Sequence, residues 1–349
     1  MSVLRRMYRG ETAFDFVGIS KKTLVVSSIF VAASVLLMVV RPFNLSIDFT
    51  GGVIISVENN ADVTVEEVRA DLRDVGYADA RVQVTGDGFI LVQTESLDAD
   101  EMDVLVVAVT EAAGSDINNA NVSAVGPTFG AEVTRKAIQA LVVFLIVIAL
   151  FITWRFEWKM AVAALIALLH DLVITGGLYA LAGFLVTPST IIAILTILGY
   201  SLYDTVVVFE KVKENTQLLH DQSTISGIVN LSMNQVLMRS INTSLTSLLP
   251  VGSLLLVGFL ALGAETLKEF ALALFIGIAI GTYSSIFVAA PVLARWKESE
   301  PEWQQRALRL GKGSEPARVV AKVEQTEAPA VAPSKSAVAR PPKQRRKRR

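Results

Sequence analysis

Residues 137–153 read AIQALVVFLIVIALFIT, a run with no charged side chain and one amide, Gln139. A helix needs about 20 predominantly apolar residues to cross the hydrocarbon core of a bilayer, so this run, with a little of its flanks, reads as a membrane span. Working outward, five further runs have the same character: Leu24–Val40, Met160–Gly183, Thr187–Phe209, Ser240–Gly263 and Phe270–Ala294. Composition agrees. Of 349 residues 52% are hydrophobic and 19% charged, with a mean hydropathy of +0.51, whereas a soluble chain carries about 25% charged residues. A soluble globular enzyme, a disordered chain and a fibrous repeat are thereby excluded. The absence of cysteine removes disulfides and thiolate chemistry. Leu24–Val40 exceeds a signal-peptide core and lacks a closing small-x-small site, so it reads as an uncleaved anchor.

Lysine and arginine mark one side of the membrane. The N-terminal segment (Arg5, Arg6, Arg9, Lys21, Lys22), the turn with Arg155 and Lys159, the 211–239 loop (Lys211, Lys213, Arg239) and the tail from Arg295 fall together if there are six spans. That side is expected to be the cytoplasm, with both termini inside. Arg41, Arg135, Lys136 and Lys268 lie at the opposite ends and are too few to reverse the assignment. Between the first two spans, residues 43–130 hold 16 acidic and three basic side chains. Here strands are expected at Val53–Val57, Arg81–Val84, Phe89–Val92 and Asn121–Val125, with a hairpin turn at Gly86-Asp87-Gly88. Capping boxes at Thr64-Val65-Glu66-Glu67 and Asp98-Ala99-Asp100-Glu101 open helices running to about Val75 and Gly114. The βαββαβ order is that of a ferredoxin-like α+β domain. Its acidic surface reads as solubility or as an interaction face.

The expected organisation is a 1–23 cytoplasmic segment, a first transmembrane helix at 24–42, an external domain at 43–135, transmembrane helices two to six at 136–296, and a disordered basic tail at 297–349. This 1+5 arrangement has no internal repeat. The terminal run Arg345-Arg346-Lys347-Arg348-Arg349 reads as a topology determinant or solvated tail, and nucleic-acid contact is not expected of it. No catalytic triad or metal cluster stands out, so neither enzyme chemistry nor a metal or organic cofactor is expected.

Ionisable groups inside hydrocarbon cost several kcal/mol and default to function or pairing. Asp204 shares a face of the fourth span with Thr196 and Tyr200, at i, i+4 and i+8, with Ser201 beside it. If the span ends near Phe209, Asp204 lies about 8 Å from its inner end. In the fifth span Arg239 is followed by Asn242, Thr243, Thr246 and Ser247 on one stripe. Two such stripes suit an Asp204–Arg239 contact that protonation opens and closes; a static ion pair is the plainer alternative. His170 and Asp171 lie deeper, in the third span, as a proton relay or as hydrogen-bonded packing. Gly277, Gly281 and Ser285 form a small-residue stripe suited to close helix contact, and Pro250 marks a kink or hinge in the fifth span.

Ordered motifs over about residues 14–296 resemble the SecD/SecF family of bacterial protein-export membrane proteins. Ile47-Asp48-Phe49-Thr50-Gly51-Gly52 is similar to its DFTGG signature and Val125-Gly126-Pro127-Thr128-Phe129-Gly130 to its VGP motif. Arg155-Phe156-Glu157-Trp158, Leu168-Leu169-His170-Asp171, Gly199 to Phe209, Thr243-Ser244-Leu245-Thr246 and Gly281-Thr282-Tyr283-Ser284-Ser285 follow in order. Tyr203 stands where many relatives carry Asn, and Met238 where Ser is common. The resemblance implies half of an RND-type six-helix bundle and a role in late preprotein export, with the proton gradient as energy source. It implies that Asp204 and Arg239 serve proton passage, and that SecD, the SecYEG channel and YajC are partners. Asp48, Phe49, Thr50, Gly51 and Gly52 read as a structural collar, with glycine freedom at the membrane exit and local bonding from Asp48 and Thr50. Two other readings are an RND-like small-molecule or lipid exporter subunit, which would carry two six-helix halves, and a non-transporting scaffold, which would not need Asp204 in the bilayer.

Overall fold

The computed structural model describes residues 12–85, 88–219, 222–260 and 265–310. The first membrane helix, α1 (Phe16–Val40), leads into a short strand β1 (Asn44–Leu45) and one helical turn, α2 (Ile47–Thr50). The inserted domain follows as β2 (Gly52–Glu58), α3 (Val65–Asp74), β3 (Arg81–Val84), β4 (Phe89–Thr94), α4 (Ala99–Ala113) and β5 (Asn121–Val125). Then come α5 (Pro127–Arg155), α6 (Trp158–Ala182), a two-residue strand β6 (Leu185–Val186), α7 (Pro188–Leu219) and α8 (Ile225–Leu260). The sixth membrane helix begins as α9 (Glu265–Ser284), passes through a π-helical turn at Ser285–Ala289 and continues as α10 (Ala290–Glu298); α11 (Pro301–Leu310) follows.

Six of the described helices are long and apolar enough to cross a membrane. They are not equivalent. Half of the apolar window of α6 and 56% of that of the sixth helix are buried inside the chain, against 11% for α1 and α5. So α6, α7 and the sixth helix form the interior, and α1 and α5 present most of their surface outward. Glycine sets the closest approach. A methyl group on Gly277 would lie 2.2 Å from Cδ1 of Ile197, and one on Gly281 would lie 3.0 Å from Cβ of Ser201. The small-residue stripe therefore lets α9 lie directly on α7, at the level where α7 carries its polar residues.

In the inserted domain the four strands form one antiparallel sheet in the order β3-β4-β2-β5, the ferredoxin-like arrangement. Alternation puts Val53, Ile55 and Val57 on one face, where they are buried with Ile90, Val92, Val68, Leu72, Leu105 and Val109 beneath α3 and α4. Thr64 and Asp98 close capping boxes with Glu67 and Glu101. The Thr64 amide and hydroxyl, both donating to Glu67, hold its carboxyl below the usual carboxylate range. Gly86 and Asp87 of the expected hairpin turn lie outside the described residues.

Two short pairings tie this domain to the bundle. β1 and β6 pair in parallel, Asn44 beside Leu185; Arg81 then donates to Oδ1 of Asn44 (2.8 Å) and Gln93 to the carbonyl of Leu45 (3.2 Å). The collar is the second. Asp48 accepts from the Ser46 hydroxyl (2.9 Å), and Thr50 donates to the Gly51 carbonyl (2.9 Å). Gly51 (φ +74°) and Gly52 (φ +125°) turn the chain against Pro127 at the start of α5 and against Thr94 of β4.

Two sequence expectations are corrected. The basic 211–239 loop is a helical hairpin: α7 continues to Leu219 and α8 starts at Ile225, so the fourth helix does not end at Phe209. Val212, Leu219, Ile225, Ile228, Val229 and Met233 from its two arms are buried in the main core, and Asn215 donates across it to Ser232 and Gln235, 2.8 Å each. Disorder from residue 297 is the second. Lys297 is 3% exposed and paired with Glu157 at 2.5 Å, Glu300 pairs with Lys159 at 2.7 Å, and α11 buries Trp303 in the main core. The signal missed was one aromatic residue, Trp303, with charges placed to meet Glu157 and Lys159. Residues 311–349, with the terminal arginine run, lie outside the described residues. A chain ending at Leu310 is expected to melt as the full chain does. One ending at Ser299 loses the burial of an indole, roughly 2–3 kcal/mol, and its melting temperature in detergent should fall by about 5 °C. Equal melting of the two truncations would show that α11 does not brace the bundle.

Candidate functional site

The polar residues of the membrane domain separate into two neighbouring groups. Asp171 on α6 is 1% exposed, and both of its carboxylate oxygens have partners. Its Oδ2 accepts from the hydroxyls of Ser201 on α7 (2.5 Å) and Ser284 at the end of α9 (2.8 Å), and its Oδ1 lies 3.1 Å from Nδ1 of His170. The His170 ring stacks on Tyr283, centroids 6.2 Å apart, and Tyr283 meets the Ser27 hydroxyl of α1 at 3.0 Å. His170 Nε2 is buried without a hydrogen-bond partner.

Asp204, one turn further along α7, is arranged differently. Its residue is 6% exposed, and it borders a narrow cleft with Tyr200, Ser201, Thr243, Ser244, Ser247, Gly281 and Thr282. The space at the centre is about 10 Å³, about what one water needs. The lining is a ring of hydroxyls from three helices. Thr243 donates to the Arg239 carbonyl (2.9 Å), Ser244 to the Ser240 carbonyl (2.8 Å), and Thr282 to Ser244 Oγ (2.7 Å). A carboxyl group beside a water-sized space, bordered by hydroxyls, can gain and lose a proton without rearranging the bundle.

Arg239 makes a different contact from the expected one. Its Nη2 donates to the Tyr203 hydroxyl at 3.0 Å, with the guanidinium 6.0 Å from that ring's centroid. It forms no ion pair with Asp204 in this structure. The reason is register: Asp204 faces inward to the sixth helix, whereas its neighbour Tyr203 faces outward, where Arg239 also lies exposed. Thr196, Tyr200, Tyr203, Arg239 and Thr246 are all exposed along the outer face of α7 and α8. Thr196 donates to the Ile192 carbonyl, and Thr246 to the carbonyls of Asn242 and Thr243. Of the residues singled out from the sequence, the cleft brings together Asp204, Tyr200, Ser201, Thr243, Ser247 and Gly281. Thr196, Asn242 and Thr246 stay outside it, and Asp171 with His170 sits on its far side.

Six contributors were not assigned from sequence: Tyr203, Ser244, Thr282, Ser284, Tyr283 and Ser27. A stripe at i, i+4 and i+8 describes one helix face, whereas this cleft is built where three helices meet. Ser244, Thr282 and Ser284 lie within the quoted motifs, and hydroxyls inside apolar spans were their only signal.

Comparison with known proteins bears on the same elements. Residues 105–299 match the family model described as protein export membrane protein SecD/SecF, C-terminal, and residues 36–58 match the SecD/SecF GG motif. The chain is 39% identical over 327 residues to the protein translocase subunit SecF of Streptomyces coelicolor, covering 93% of this chain and 87% of that one. It is 42% identical over 309 residues to the Mycobacterium tuberculosis subunit of that name, covering 85% and 70%. Among solved structures it is similar to SecDF, a translocon-associated membrane protein from Thermus thermophilus, with a TM-score of 0.76 and 34% identity. That match covers 83% of this chain and 39% of that one.

Proposed function

The chain belongs to the SecD/SecF family of protein-export membrane proteins, and from that premise we propose that its Asp204 cleft couples the proton gradient to the late stage of preprotein export. It is a multi-pass membrane protein and an accessory subunit of the Sec translocase. The observation that carries the proton reading is Asp204 itself, a buried carboxyl without an ion-pair partner among the described residues, next to room for one water. Such a group costs several kcal/mol in a membrane and is retained where it does work.

The same membrane depth supports a partner. Arg239, Tyr203, Tyr200, Thr196 and Thr246 face outward from α7 and α8, and an exposed arginine in hydrocarbon is costly. The outer face of this pair is therefore the one a second six-helix half covers. We assign that half to SecD, since the Thermus SecDF chain is more than twice as long as its match here. SecYEG and YajC complete the assembly, and the translocating preprotein is the cargo. The protein resides in the cytoplasmic membrane with both termini inside and the inserted domain outside.

The reading is tested by preprotein release from vesicles carrying the complex, with an imposed proton gradient and with an uncoupler. Release that ignores the uncoupler refutes it. The orientation has its own test: a reporter inserted at Gly88 should behave as exported and one fused at Arg349 as cytoplasmic. The reverse pattern would overturn the sidedness.

A further inference from the structure

We infer that the buried His170–Asp171 pair takes a proton from the Asp204 cleft, with the Ser201 hydroxyl as the relay between them; this rests on the proton-coupled reading above. The geometry is specific. Ser201 lines the cleft beside Asp204 and at the same time donates to Asp171 Oδ2 at 2.5 Å, so one residue borders the cleft and bonds the pair. On its far side the pair is closed. Ser284 donates to the same Oδ2 (2.8 Å) but lies outside the cleft lining.

Three donors converge on the two oxygens of Asp171, the arrangement an acceptor-only carboxylate requires. His170 fits it as the Nδ1–H tautomer, because its Nε2 is buried with no acceptor to receive a second N–H. The groups packed round the pair are Ser201 from α7, Ser284 and Tyr283 from α9, and Ser27 of α1 behind Tyr283. Among the described residues no lysine or arginine bonds to Asp171. The pair therefore carries an uncompensated negative charge inside the bundle, which a single proton removes.

The transfer balances. Asp204 gives its carboxyl proton to a water in the cleft. That water passes a proton to Ser201 Oγ, which passes its own to Asp171 Oδ2. Asp204 becomes the anion, Asp171 becomes neutral, and water and serine are unchanged. The reverse sequence returns the proton. Asp171 is in this sense a second station, and its protonation loosens the Ser201 and Ser284 contacts that hold α7 and α9 to α6.

The test compares two serines that donate to one oxygen. In the full complex, Ser201→Ala is expected to slow gradient-driven release by about 10²-fold, the lower end of the range for a lost proton-transfer group. Ser284→Ala, which removes a donor to the same atom but no relay, should slow it by a clearly smaller factor. Equal effects of the two, of any size, would mean that the cluster is only packing and would overturn the inference. An independent readout uses the purified full chain in nanodiscs: infrared difference spectra between acid and alkaline pH. Asp171→Asn and Asp204→Asn should each remove a titrating carboxyl band. If Asp171→Asn leaves the bands unchanged while Asp204→Asn abolishes driven release, the relay is wrong and the Asp204 reading stands. If Asp204→Asn leaves driven release intact, that broader reading falls instead.

Discussion

Replacing Asp204 by asparagine is expected to reduce gradient-driven preprotein release to the level seen without a gradient, while the protein still inserts and co-purifies with its partner. Asparagine matches aspartate in size and keeps one acceptor oxygen but exchanges no proton. Since Asp204 makes no ion pair with Arg239 in this structure and borders a narrow, hydroxyl-lined space, the substitution breaks no salt bridge and should cost little stability. That separates it from a structural defect. Loss of a positioned proton-transfer group lowers rates by about 10²-fold to 10⁴-fold, enough to merge with background release. Arg239→Lys should be intermediate. It keeps the charge but loses the planar group that bonds the Tyr203 hydroxyl and lies near its ring. Release by Asp204→Asn equal to wild type at equal abundance would make Asp204 structural.

Why was so much of this visible in the sequence, and where did it stop being visible? Membrane helices announce themselves because an uncharged run such as residues 137–153 has one stable environment. The inserted domain was legible for a different reason. Its capping boxes at Thr64 and Asp98 and its alternating strands are local signals, and each was satisfied locally. Asp204 and Asp171 were found because a carboxylate in an apolar run is conspicuous. Their surroundings were not. Whether Arg239 meets Asp204 or Tyr203 depends on helix rotation, which neighbouring helices set through contacts such as Gly277 against Ile197. A one-residue change of facing exchanges a charge partner for a phenol. The α7–α8 hairpin escaped because its apolar residues are interleaved with Glu210, Lys211, Lys213 and Glu214, and α11 because Trp303 is its one buried side chain.

Gly52→Ala should be the most damaging single-methyl change in the inserted domain, and Gly88→Ala its control. Both glycines have positive φ, +125° and +84°, so both pay for a side chain in a backbone region that L residues avoid, about 1–3 kcal/mol. They differ in space. Nothing lies within 4 Å of a methyl on Gly88, whereas one on Gly52 would sit 2.2 Å from the Thr94 carbonyl oxygen. That oxygen belongs to β4, which is paired along its length with β2, so it cannot yield without opening the ladder. Nor can the chain shift the other way. A methyl on Gly51 would lie 2.7 Å from Cα of Pro127, and Gly130 is pressed as closely on the Phe49 carbonyl. The collar is thus wedged between β4 and the start of α5. Gly52→Ala must open either the central β2–β4 pairing or the docking of the domain on the bundle. A loss of about 3 kcal/mol or more is expected, the range where strain and overpacking add, with reduced membrane accumulation and early proteolysis within residues 52–125. Gly88→Ala should stay near 1 kcal/mol and accumulate normally. If the two variants melt alike, the collar is not a rigid junction, and the domain is held to the bundle chiefly by the β1–β6 pairing and the bonds from Arg81 and Gln93.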